Sequence, residues 1–331
     1  MNANIQSFDT PYALTVGHGA CHGHHGEILQ GALARMDGSA LPVLVTLPCR
    51  RYRAAATFQP RAEAPLCVVP RDREKARRAA RLTLAGLGVP GCGGTLTLSG
   101  NIPARQGLGS STADVVAAIR AVADALRRPF NPTRVACLAV AAETAADPLM
   151  FGPSALLFAQ REGAIVERFA QPLPPLEILG IHDPANGPGE DTLAGAPRCY
   201  DEAEMLEFAA LRACLGTAIA RGDAAGVGAV ATRSARLNQR FLRKPNLDRL
   251  EAMGRRHGAL GIQIAHSGTA MGLIFHPADV AALREVGRRL TAGPGDIEVY
   301  HIPPASILPL ATRAPAECRR ASRRESVVEL L

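Results

Sequence analysis

A chain of 331 residues, 47% hydrophobic and 20% charged, is long enough for one large or two moderate domains and too apolar for a disordered protein. Its net charge of +7 raises nucleic acid as a partner, but with aromatics at 4% and no tryptophan a base-stacking platform is poorly supplied. No apolar run is long enough to span a bilayer, residues 1–10 lack the charged and apolar regions of a secretory leader, and eight cysteines without a Cys-x-x-Cys pair read as free thiols, so a cytoplasmic enzyme is the expected class.

Tyr12 to Val16 reads as a short strand opening into a glycine-rich loop, residues 17–31. Four histidines and Cys21 fall within residues 18–25, which invites a metal reading. Their spacing is neither that of a zinc finger nor that of two ligands on one helix face. The competing reading makes His18, His22 and His24 loop residues bonded to backbone. Leu41 to Leu47 and Arg51 to Phe58 are strands separated by Pro48, and Glu63 to Pro70 is a Pro-rich connection. Arg71 to Leu87 is a helix whose arginines form a solvated face over Ala76, Ala79, Ala80 and Leu84.

The alternating run Thr95-Leu96-Thr97-Leu98-Ser99 is a strand, ended by Asn101 and Pro103. The loop Pro103-Ala104-Arg105-Gln106-Gly107-Leu108-Gly109-Ser110-Ser111-Thr112 follows, and Val115, Val116, Ile119, Val122 and Leu126 then recur at helical spacing. A glycine loop running into a helix start is an anion site, because free N–H groups point outward and the helix dipole adds positive potential. A first-turn serine can also place its hydroxyl on phosphate-bound magnesium. The plain alternative is a strand-to-helix turn, with Ser111 and Asp114 forming a capping-box variant.

Asn131-Pro132 starts the next helix and Asp147-Pro148 breaks it, before a buried strand over 154–159. Glu143 and Asp147 lie between apolar elements, and buried paired carboxylates need a cation, a proton or a function. The alternative is a helix-terminal Glu and an Asp-Pro turn. Composition shifts at Leu173-Pro174-Pro175, which places a domain boundary between 1–172 and 173–312, with a basic tail at 313–331. The second half reads as a strand over 176–182, a polar loop over 183–192, helices over 202–220, 224–237 and 247–257, a strand-turn-strand over 260–274, a helix over 286–290 and a closing strand over 297–302.

Pro-x-x-x-Gly-Leu-Gly-Ser-Ser-x-Ala at 103–113 resembles the nucleotide loop of the GHMP kinases, and Gly26-Glu27 with Gly31 resembles their first motif. Gly-Glu-Ile-Leu-Gln-Gly at 26–31, Ser-Ser-Thr-Ala-Asp at 110–114, Asp-Thr-Leu at 191–193, Asn238-Gln239 with Lys244-Pro245, and His266-Ser267-Gly268-Thr269 resemble the L-threonine kinases of cobalamin synthesis within that superfamily. The resemblance covers residues 12 to 310. It implies an α+β fold with an N-terminal ribosomal-protein-S5-domain-2-like half and a C-terminal ferredoxin-like half. It implies ATP held by Pro103, Arg105, Gly107, Leu108, Gly109, Ser110, Ser111 and Thr112, Mg2+ on Ser111 and Glu143, and Asp147 as base. The acceptor, L-threonine or another hydroxy-amino compound such as serine or homoserine, would meet His25, Glu27, Gln30, Asp191, Thr192, His266, Ser267 and Gly268. Two departures stand out: the extra histidines before Gly26, and the spacing of Glu143 and Asp147. No Gly-Lys dipeptide occurs, which excludes a Walker P-loop, and the Asp-Phe-Gly and His-Arg-Asp strings of protein kinases are absent. A non-catalytic ligand or metal sensor on the same fold is the rival class, and no motif speaks to oligomeric state.

Overall fold

The residues read above as a histidine-bearing loop form a long strand, β1 (Gly17–Ala34). In the computed structural model, residues 15–152, 154–187, 198–265, 267–293 and 297–307 are described. Asp191, Thr192, His266 and the tail from 313 lie outside them. The glycines of β1 serve close packing rather than flexibility. A Cβ at Gly17 would sit 2.2 Å from the Ala121 carbonyl oxygen, and one at Gly19 would sit 2.1 Å from that of Ala117. Both carbonyls belong to helix α2 (Ser110–Ala125), which therefore lies directly on the strand.

Strand β2 (Ala40–Ala62) pairs antiparallel with β1 along its length, running through Pro48 where the sequence suggested a break. Proline is tolerated there because the ladder is irregular: pairing passes from His24↔Pro48 to Glu27↔Thr46, one extra residue on β1. Two further strands escaped the sequence reading. β3 (Leu66–Val69) is four residues between prolines, and it pairs parallel with β4 (Cys92–Gly100). β5 (Leu156–Ala159) carries β6 (Ala164–Arg168), whose burial alternates too weakly to register as a core strand.

The helices fall where periodicity put them: α1 (Glu74–Gly86), α3 (Pro132–Glu143), α4 (Glu202–Arg221), α5 (Ala224–Leu237) and α6 (Leu247–Arg256). The last, α7 (Val280–Thr291), starts earlier than expected. β7 (Glu177–His182), β8 (Gly261–Ile264), β9 (Ala270–Phe275) and β10 (Glu298–Ile302) complete one sheet of order β10-β7-β9-β8-β1-β2-β4-β3, with β5 and β6 branching from β2. The two sides of this sheet join through the pairing of β1 with β8 at Glu27↔Ile264.

α2 is buried on all sides, with Val115 to Ile119 inaccessible, and packs between the sheet, α1 and α3. A second apolar cluster lies under α4 and α5, and a third under α6 and α7. No helix among the described residues is long and apolar enough to cross a membrane. Gly19→Val should destabilise the fold by about 3 kcal/mol, since its side chain would be driven into the α2 backbone. Chemical denaturation should show this against the fully exposed Met36→Ala, which should stay within about 0.5 kcal/mol of the parent.

Candidate active site

The loop ahead of α2 is shaped to present backbone. Arg105, Gly107 and Gly109 take φ values of 61°, 72° and 76°, and Gly109 is the helix N-cap with no side chain capping it. The capping-box alternative fails, because Asp114 pairs with Arg73 at 3.5 Å while the Ser111 hydroxyl turns to Glu143. First-turn N–H groups are thus left toward a cleft of about 870 Å³ lined by Arg105, Gly107 to Thr112, Glu143, Asp147, Glu27, Gln30 and Ser267, among others. Pro103 opens the loop beneath them, and the Leu108 side chain is buried in the second apolar cluster.

Both flanks hold the loop in place. The His24 N–H donates to the Leu108 carbonyl at 3.1 Å, and the Ala270 N–H donates to that of Gln106 at 3.0 Å. Gly268 presses on the loop so closely that a Cβ would fall 1.9 Å from the Gln106 carbonyl carbon and 2.0 Å from the Gly107 nitrogen. The Lys244 ammonium donates to the Gly268 carbonyl, and Asn238 donates to the Gln30 carbonyl at 2.8 Å. The residues 238–245 therefore anchor the walls of the cleft and do not line it.

Glu143 is 3% exposed and receives two hydroxyls: Ser111 donates to Oε2 and Thr112 to Oε1, each at 2.7 Å. Burial pushes its carboxyl up to about 7, although both hydroxyls pull the other way. The Thr112 hydroxyl also accepts from the Asp147 N–H at 3.2 Å, so its side chain links the Glu143 carboxylate to the Asp147 backbone. Asp147 Oδ2 lies 3.1 Å from His24 Nε2. Burial pushes Asp147 up, yet His24 holds it below the usual carboxylate range. Burial likewise opposes the charge on His24, and Asp147 and Glu27 lift the imidazole to about 9. Lys75 stands in the cleft wall within electrostatic range of Glu143 and Asp147.

The structure exchanges the roles expected of two histidines. His25 is fully buried with Nε2 at 2.8 Å from the Tyr300 hydroxyl and Nδ1 against the Gln263 amide, and burial pushes it down to about 3. It ties β1 to β8 and β10 and has no place in the cleft. His24, read as a backbone-bound loop residue, is the one that meets Asp147. A strand, unlike a loop, sends neighbouring side chains to opposite faces, and only the strand assignment could have separated the two. His18 is on the surface, and His22 Nδ1 bonds to the Gly23 carbonyl at 2.8 Å. The four histidines therefore do not converge as a zinc site would require.

Residues 74–153 match the family model described as GHMP kinases N terminal domain, and residues 216–290 match GHMP kinases C terminal. Both halves of the chain thus carry a GHMP kinase domain, N-terminal and C-terminal in order, and the chain has the mixed α+β fold of those kinases. The L-threonine kinase of Salmonella typhimurium is 28% identical over 191 residues, 56% of this chain and 61% of that protein, so the likeness spans less than two thirds of the relative. Homoserine kinase from Cytophaga hutchinsonii superposes with a TM-score of 0.59 at 16% identity, covering 91% of this chain and 97% of that one. A structure of MDDEF in complex with MVAPP, AMPPCP and magnesium gives a TM-score of 0.65 at 13% identity, covering 87% and 98%.

Gly268→Ala should displace the phosphate loop and weaken nucleotide binding about tenfold or more, while leaving the cooperative unfolding transition in place. Nucleotide titration together with a melting curve would check this. Thr112→Val removes the hydroxyl that donates to the buried Glu143 carboxylate and accepts from the Asp147 N–H, and should cost about 2 kcal/mol in denaturant unfolding.

Proposed function

We propose that this chain transfers the γ-phosphoryl group of ATP to the side-chain hydroxyl of L-threonine, giving O-phospho-L-threonine and ADP. The observation that carries the reading is the convergence, in one cleft, of an uncapped glycine-loop helix start, the Ser111–Glu143 pair and the carboxylates of Glu27 and Asp147. The family supplies the reaction class, and the likeness to an L-threonine kinase supports the acceptor.

The Ser111 hydroxyl and the Glu143 carboxylate are hard oxygen donors already in contact, a set suited to Mg2+. When bound, that ion would neutralise the charge on the ATP phosphates. The N–H groups of Gly107 to Thr112 would cradle those phosphates, with Arg105 offsetting further charge. Glu27, buried at the cleft wall, would take the acceptor's ammonium, and Ser267 with Gln30 would orient its other polar groups. Asp191, Thr192 and His266 are proposed to complete the acceptor pocket. As the acceptor oxygen bonds to Pγ, the bond from Pγ to the bridging oxygen breaks and ADP leaves with the electron pair. The hydroxyl proton passes to Asp147, whose carboxylate form is ready to accept it. Decarboxylation of the product elsewhere would supply the aminopropanol arm of cobalamin.

ADP release with MgATP should be strongest for L-threonine in a panel with D-threonine, L-serine, L-homoserine and 1-amino-2-propanol. Preference for another member would keep the kinase and discard the acceptor. Ser111→Ala should lower turnover by about 100-fold or more, whereas a sensor on this fold would keep its ligand affinity. Because the Glu143 carboxyl lies near 7 without metal, magnesium should displace a proton from it below that pH. Mg2+ affinity should therefore fall from pH 8 to pH 6, and calorimetry in buffers of different ionisation enthalpy should detect the released proton.

A further inference from the structure

We propose that His24 is, at neutral pH, a doubly protonated imidazolium that fixes Asp147 as a carboxylate and aims it into the cleft, a positioning residue for proton transfer. The inference rests on the kinase reading above for its catalytic consequence, but the protonation itself follows from geometry. His24 Nδ1 lies 3.3 Å from the Gly26 carbonyl oxygen, a group that can only accept a hydrogen bond. His24 Nε2 lies 3.1 Å from Asp147 Oδ2. With a carbonyl at Nδ1 and an ionised Asp147 at Nε2, both nitrogens carry hydrogen, and only the imidazolium has two; the alternative, a neutral ring accepting from a protonated Asp147, would leave one ring nitrogen bare. Glu27 Oε1 at 3.8 Å from Nδ1 adds a second negative charge. The ring is 2% exposed, so water does not replace either partner.

The surroundings hold the ring to this task. The backbone of His24 donates to the nucleotide loop at Leu108, and a Cβ on Gly109 would lie 2.6 Å from His24 Cδ2, so glycine is what lets the ring cross the loop. One residue thus joins the phosphate-holding backbone to the candidate base. The other charged and titratable groups near the dyad are Glu27, His22, His25 and Cys21 on β1, Glu143 on α3 and Lys75 on α1, with Arg120 and Asp114 of α2 one step further out, beside Cys21. His25 and His22 are held neutral by burial, and the His24 charge reinforces this in both. Asp147 chiefly, then Glu27 and the Gly26 carbonyl, favour the charge on His24 against its burial.

One ligand atom each from His24, Glu27 and Asp147 lies within 4.8 Å of the others, so a cation shared among them is the competing account. The closest approaches are Asp147 to Nε2 and Glu27 to Nδ1, on opposite sides of the ring, which two ring protons satisfy without an ion. The chelator arm of the test separates the two accounts.

The test is nitrogen NMR of histidine-labelled full-length protein at pH 8, with the signal assigned by its loss in His24→Gln. The expected result is one ring with both nitrogens protonated at that pH, unchanged by EDTA and unaffected by the control His22→Gln. A singly protonated ring, or a metal-bound pattern abolished by EDTA, overturns the proposal. This readout needs no turnover, so it stands even if none of the acceptors in the panel reacts. In the active enzyme, His24→Gln should move the acid limb of kcat upward by about one pH unit or more, because Asp147 loses its cation. His24→Lys should restore the limb in part, and ATP affinity should change less than about twofold. An acid limb that stays in place in His24→Gln overturns the catalytic half of the proposal, and loss of ATP binding in parallel with kcat would assign His24 to the loop alone.

Discussion

The structure depends on one irregular stretch of one strand, where β1 changes register between His22 and Leu29. β1 is the only described strand paired to both sides of the sheet through a single junction, at Glu27↔Ile264, and it is also where α2 lies closest. An ideal ladder would alternate His24, His25, Gly26 and Glu27 strictly between faces. The extra residue opposite Pro48, with Gly26 at a φ of 67°, breaks that alternation so that His24 and Glu27 approach each other while His25 points into the interface with β8 and β10. The bulge thereby sets which side chains reach the cleft.

From that junction the rest of the site follows by close packing. Small residues let three backbones meet: Gly17 and Gly19 admit α2, Gly109 admits the His24 ring, and Gly268 admits the loop at Gln106 and Gly107. None of these contacts tolerates a Cβ without displacement. The site therefore has little freedom in how the glycine loop stands relative to Glu143 and Asp147, and such fixed placement is what phosphoryl transfer asks of a protein.

The electrostatics are arranged in two separate pairs. Glu143 takes its hydrogen bonds from two hydroxyls, with Lys75 only a weak electrostatic neighbour, so its buried carboxyl is costly to ionise until a cation arrives. Asp147, four residues on, is next to His24 and is ionised without one. Two carboxylates of similar sequence context are thereby driven to opposite behaviour, one suited to receiving metal and the other to receiving a proton.

The amino-acid sequence by itself determined the helices, most of the strands and the glycine loop, while the grouping of Ser111 with Glu143 and Asp147 came from the family likeness that the loop carries. These are legible because periodicity, breakers and a loop-to-helix signature are local properties of the chain. It did not determine that residues 17–31 are strand, since glycine and histidine carry weak strand preference and the stretch is held by α2, β2 and β8. Nor did it separate His24 from His25, whose fates depend on a register set by a partner strand twenty residues away. The short strand Leu66–Val69 escaped for the same reason, its pairing with β4 being visible only once both are folded. Only the tertiary structure decided these points, because burial, register and the charge of a buried imidazole are properties of contacts between distant segments.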